Sequence, residues 1–194
     1  MTHRLARGLR AIVVVAFLAG VLAGDAGAAT VLFRNSGHVA EPYQRWLQQS
    51  LLPTTDARIF LVYLEPACGV AECAHPTKHT IFMYNGFDRL TVYDFMHEVG
   101  HIVDYLRADN RERRAWARFV GQPHTGWWRG ANPPGEQWAQ SYALCSQLRQ
   151  LPGHTPYPGY GWDPSPAKHR AACALQRRII ERRMVSGQAF KTSE

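Results

Sequence analysis

Residues 95–105 read Phe95-Met96-His97-Glu98-Val99-Gly100-His101-Ile102-Val103-Asp104-Tyr105. On an α-helix, at ~100° per residue, His97 and His101 stand about 40° apart and one turn along the axis. Two imidazoles then point at one place, which suits two ligands of a single Zn2+ ion, and Glu98 beside His97 can reach a water there as general base. The surrounding apolar spacing predicts a helix over 91–107, with Thr91 able to cap it and Asp94, three residues on, able to complete a capping box. Asp104 falls roughly 20° from His97 in rotation. That places it either to accept the far N–H of a ligand imidazole or to lie exposed as a plain helix acid.

A catalytic zinc takes three protein ligands and keeps one position open. The continuation to a third histidine, H-E-x-x-H-x-x-G-x-x-H, fails because Asp104 and Arg107 hold those places. Glu136 opens a helically spaced run over 136–151, and Ala139 on its next turn leaves little bulk beside it, so Glu136 is the preferred third ligand. The plain alternative for Glu136 is a first-turn acid favoured by the helix dipole. His124, in the Pro/Gly-rich loop 121–135, is the competing ligand, since imidazole also suits zinc.

Outward from this centre, 58–64 (Arg-Ile-Phe-Leu-Val-Tyr-Leu) and 80–84 (Thr-Ile-Phe-Met-Tyr) are β-branched and aromatic runs that predict two strands of one small sheet. Helices are predicted over 41–52, 109–120, 136–151 and 166–185. Strands early and helices late argue for an α+β domain. A parallel α/β arrangement is disfavoured because strand and helix do not alternate.

The chain of 194 residues is 46% hydrophobic and 19% charged, which excludes a disordered chain and fits one domain. Arg4, Arg7 and Arg10, the apolar run 11–24 and the small residues Ala26, Gly27, Ala28 and Ala29 read as a secretory signal over 1–28. An uncleaved anchor is the alternative, but the run falls short of the ~20 residues that span a bilayer, and no run in the chain supports a multi-span membrane protein. Residues 29–194 are thus expected as one secreted domain.

In an exported chain the four cysteines favour disulfides, here the local pairs Cys68–Cys73 and Cys145–Cys173. A zinc knuckle on Cys68 and Cys73 with His75 and His79 is the competing reading. The net charge of +7 concentrates in Lys168, Arg170, Arg177, Arg178, Arg182, Arg183 and Lys191, opposed by Glu181 and Glu194. A solvated helix face is the first reading, and a patch for an acidic polymer the second.

His97 to Asp104, followed about 35 residues on by Glu136-x-x-Ala139, resembles the Glu-zincin (gluzincin) metallopeptidases. It is most similar to their compact branch, which holds the anthrax-type lethal-factor catalytic domain and small secreted Pro-Pro endopeptidases. The resemblance implies a single zincin-like α+β domain, a small sheet followed by a helical active-site region. It also implies His97, His101 and Glu136 on zinc, Glu98 as base, and 80–84 as the strand along which an extended peptide binds. The family's Tyr just upstream of the third-ligand helix is missing, since 121–135 contains no Tyr. His124 is the residue there able to stabilise the oxyanion, with Tyr142 and Tyr160 as outside candidates, and Trp138 replaces the family's Phe. The activity so implied is that of a secreted zinc metalloendopeptidase, monomeric, acting on peptide or protein and not on nucleic acid, with no stable membrane insertion. The alternatives are a secreted zincin-fold binding protein without turnover and a zinc amidase acting on cell-wall peptides.

Overall fold

The computed structural model describes residues 29–63, 72–83, 91–122, 126–147 and 159–186. Four strands, β1 (Val31–Phe33), β2 (Ile59–Tyr63), β3 (Cys73–His75) and β4 (Thr80–Met83), form one sheet in the order β1-β2-β4-β3. Helix α1 (Glu41–Gln48) lies between β1 and β2 in the chain. The remaining helices α2 (Thr91–Arg107), α3 (Asn110–Val120), α4 (Pro134–Gln147) and α5 (Pro166–Ser186) follow the sheet. The fold is α+β.

One expectation about the sheet needs correction: among the described residues it has four strands instead of two. It is mixed, with β1 paired to β2 and β2 to β4 in parallel and β3 to β4 antiparallel. Strand β1 is only three residues long, too short for periodicity to register. With α1 after it, strand and helix do alternate over this first stretch. Gln44 on α1 holds β1 in place, its Oε1 accepting from Val31 N at 2.7 Å and its Nε2 donating to Ala29 O at 3.1 Å. A buried glutamine thus supplies hydrogen bonds that an edge strand lacks on its outer side.

The strand order also overturns 80–84 as the peptide-binding strand. β4 has β2 on one side and β3 on the other, so its ladder is occupied on both edges. Among the described strands, the one at the end of the order next to α2 is β3. Its composition, Cys-Ala-His, carries no strand signature. It pairs with β4 through a 3-10 turn, Pro76–Lys78, closed by His79 in the left-handed region at φ 47°.

The inward faces of β2 (Ile59, Leu61) and β4 (Ile81, Met83) are buried, and the core they join includes Tyr43, Phe95, Met96, Val99 and Ile102. Phe95 meets Tyr43 edge-on, with ring centroids 4.9 Å apart. Three indoles, Trp116, Trp138 and Trp162, are fully buried, with Trp116 packed against each of the other two.

Most helix bounds differ from the sequence expectation by a few residues. α1 stops at Gln48 rather than 52, α4 runs from Pro134 to Gln147, and α2 takes Thr91 in as its first residue rather than as the residue before it. A complete capping box stands at the start of α3. There Glu112 N donates to Asp109 Oδ1, and Asp109 N donates to Glu112 Oε2, each at 2.9 Å. Arg183 of α5 pairs with both of these acids.

Helices α2 and α4 cross at Gly100. A Cβ there would stand 2.9 Å from Ala139 Cα and 3.1 Å from Tyr142 Cβ, and Trp138 Nε1 donates to Gly100 O at 3.1 Å. Ala139, the small residue one turn past Glu136, is the one that Gly100 touches. Gly100→Ala should therefore destabilise the fold. The roughly 1 kcal/mol gained in helix propensity is outweighed by an overpacking cost of about 1–3 kcal/mol, because the obstacle is backbone. Thermal unfolding checks the sign.

A disulfide, Cys145–Cys173, joins α4 to α5. Cys73 is also disulfide-bonded, so it is no thiolate ligand in this state and the knuckle reading does not hold for it. Its expected partner Cys68 lies outside the described residues, as do the signal segment 1–28 and His124. Among the described residues no helix is long and apolar enough to cross a membrane.

Candidate functional site

The helical period places His97 and His101 on one face of α2, with ring centroids 4.9 Å apart. The α2–α4 crossing then brings Glu136 to them. A single carboxylate oxygen, Glu136 Oε2, lies 3.1 Å from His97 Nε2 and 3.4 Å from His101 Nε2. Ligands at ~2.0–2.1 Å on the vertices of a tetrahedron stand ~3.3 Å apart, so the Glu136 oxygen stands from each imidazole nitrogen at about the separation of two donors on one zinc ion. His97, Glu98 and His101 also offer donor atoms within 4.8 Å of one another. Glu136 makes the closer approach to both imidazoles.

The electrostatics divide the two glutamates. Burial would raise the Glu136 carboxyl, but hydrogen bonds and charge from His101 and His97 more than reverse this and hold it well below the usual carboxylate range. Glu98 is driven the other way. Burial pushes it up, and the partial relief from His97 and His101 does not compensate. For His101, burial lowers the pKa, yet Glu136, Glu98 and Asp104 around it leave it raised. Two carboxyls in one cleft, one held ionised and one pushed toward its neutral form, is the usual arrangement of an acid-base site.

Asp104 is neither an exposed acid nor the partner of a ligand imidazole. It is fully buried. Its two oxygens take Nε and an Nη of Arg113 at 3.0 Å each, and Oδ2 also accepts from Trp127 Nε1 at 3.1 Å. His101 Nδ1 is buried with no hydrogen-bond partner. Asp104 therefore acts on the loop before α4. It pins Trp127, whose carbonyl accepts from Gly135 N at 2.9 Å, one residue before Glu136.

The cleft, about 680 Å³ in volume, is bounded by Glu72, Cys73 and Ala74 of the β3 edge on one side and by Trp128 and Tyr160 on another. Trp128 is half exposed and stands 5.3 Å from the His101 ring. Tyr160 stacks on His97, centroids 6.2 Å apart and planes 25° from parallel. Its backbone is left-handed, φ 56°, between Gly159 and Gly161. Such a conformation costs a non-glycine residue ~1 kcal/mol or more and persists only where its surroundings hold it. Here Gln137, next to Glu136, donates to Tyr160 O at 2.9 Å, and Gly161 has no room for a Cβ against the Asn132 side chain. Burial and the charges of Glu136 and Glu98 raise the Tyr160 phenol, keeping it a donor.

Of the oxyanion candidates, His124 is outside the described residues. Tyr142 is buried in the core, its hydroxyl donating to Pro53 O at 3.3 Å. Tyr160 alone of the described candidates borders the cleft. Spacing gave Trp128 and Arg113 no signal as cleft residues; the Trp127-Trp128 pair inside a Pro/Gly loop was the available clue.

No family model, curated protein or solved structure matches this chain.

Proposed function

We propose that this protein is a zinc-dependent metalloendopeptidase of zincin-like fold, exported through residues 1–28, monomeric, and acting on extended peptide or protein segments. The observation that carries the reading is the single Glu136 oxygen within 3.1 and 3.4 Å of the two imidazole Nε2 atoms of an H-E-x-x-H helix. His97, His101 and Glu136 would hold the ion. Bound zinc supplies Lewis acidity that polarises a carbonyl and makes water a nucleophile near neutral pH.

The chain's own residues do the rest. Glu98 takes a proton from the attacking water as its oxygen bonds to the carbonyl carbon, then returns that proton to the amine nitrogen as the C–N bond breaks. Tyr160 donates its phenol hydrogen to the oxygen that gains charge when the carbonyl carbon becomes tetrahedral. The β3 edge, which borders the cleft, offers the ladder on which an extended peptide can add as a strand.

Metal analysis after dialysis, joined to digestion of an unbiased peptide library with and without chelator, tests the reading. The expected result is about one zinc per chain and endoproteolysis that chelator abolishes. Bound zinc with no cleavage would point to a binding protein. Cleavage confined to cell-wall peptides would point to the amidase.

Tyr160→Phe should lower kcat by ~10²–10³ with little change in KM, the loss typical of one oxyanion donor. Steady-state kinetics on a cleaved library peptide measure it, and an unchanged kcat would return the role to His124.

A further inference from the structure

Away from the cleft, the mechanism leaves one buried titratable cluster unused. His169 of α5 is fully buried. One turn further along α5 is Cys173, bridged to Cys145 of α4. His169 Nδ1 lies 4.0 Å from Cys145 Sγ and 3.8 Å from Cys173 Sγ, and its Nε2 lies 3.6 Å from Cys173 Sγ. Disulfide sulfur is a weak hydrogen-bond acceptor.

The distances have another meaning. A tetrahedral ion with S at ~2.3 Å and N at ~2.0–2.1 Å sets S···N at ~3.6 Å and S···S at ~3.8 Å. His169 Nδ1, which reaches both sulfurs, stands at 4.0 and 3.8 Å from them, a few tenths of an ångström beyond the first separation. The sulfurs must part, which reduction of their bond allows. A groove of about 500 Å³, lined by Leu51, Leu52, Arg170, Arg177 and the half-buried Cys173, leads to the pair and leaves room for water as a fourth ligand.

We propose that, once the Cys145–Cys173 bond is reduced, the two thiolates and His169 hold a thiophilic cation such as Zn2+, which takes over the link between α4 and α5. A dithiol reductant delivers two electrons and two protons, becoming a disulfide itself while Cys145 and Cys173 become thiols. Metal binding then releases the two thiol protons to solvent, and His169 contributes a nitrogen lone pair.

Co2+ titration of the full chain, before and after reduction with a phosphine, tests this. Reduced protein should develop the near-ultraviolet sulfur-to-cobalt charge-transfer band, saturating at one ion per chain and bleached by Zn2+. His97, His101 and Glu136 include no sulfur and by themselves give no such band; Cys73, which borders their cleft and is also freed by the phosphine, is told apart by the chain that lacks Cys145 and Cys173. The oxidised chain and a Cys145→Ser/Cys173→Ser chain should show none, and His169→Ala should weaken binding at least ~10-fold, no less than the loss of an outer-sphere partner. Zn2+ should also raise the Tm of the reduced chain. Absence of the band after reduction, whether or not the chain stays folded, overturns the proposal. So does a band that persists in the double variant, which would put the ion on Cys68 and Cys73, or an affinity unmoved by His169→Ala.

Discussion

Glu98→Gln should abolish turnover while leaving the zinc content intact. The amide fills the space of the carboxyl and keeps the buried position of Glu98, only 6% exposed, occupied and uncharged. What it cannot do is accept a proton from the attacking water. Loss of a positioned general base costs typically ~10²–10⁴ in rate. Metal should remain because the donors that converge most closely are His97, His101 and Glu136. The measurement is kcat/KM alongside metal per chain. If zinc is lost together with activity, Glu98 is a ligand, an arrangement its 4.8 Å reach to both imidazole nitrogens permits geometrically. If turnover persists, the base lies elsewhere.

Glu136→Ala should lower zinc affinity by more than the ~10–100-fold that follows loss of an outer-sphere partner. Removing the carboxylate leaves zinc with only His97 and His101 of the three protein ligands that catalytic sites use. It also removes the negative charge that binds the two imidazoles together. Competition against a chromophoric chelator reads the affinity. His124→Ala should leave the affinity unchanged. The opposite pattern would move the third ligand to His124 and take the centre out of the Glu-zincin arrangement.

The convergence of His97 and His101, and the place of Glu98 beside them, were legible in the sequence because they depend only on helical rotation within four residues of one another. Likewise the disulfide Cys145–Cys173, the α+β order and α5 followed from local composition and spacing. Glu136 was within reach of the sequence only through the smallness of Ala139, and the reason it matters is tertiary. Gly100 and Ala139 let two helices separated by a 26-residue stretch touch backbone to backbone, which carries the carboxylate to the imidazoles.

Other features had no local signature. Asp104 has the same spacing whether it serves a ligand, faces water or holds Arg113 and Trp127, and only the packing of the loop before α4 decides among them. Tyr160 reaches the cleft by a left-handed turn fixed by Gln137, a contact across 23 residues. The parallel pairing of β1, β2 and β4, which leaves β3 and not β4 at the end of the described strand order, rests on hydrogen bonds between segments far apart in the chain. Sequence periodicity reports which face of an element is buried. Which element lies beside it is decided by long-range pairing, and so is the surface left for a substrate.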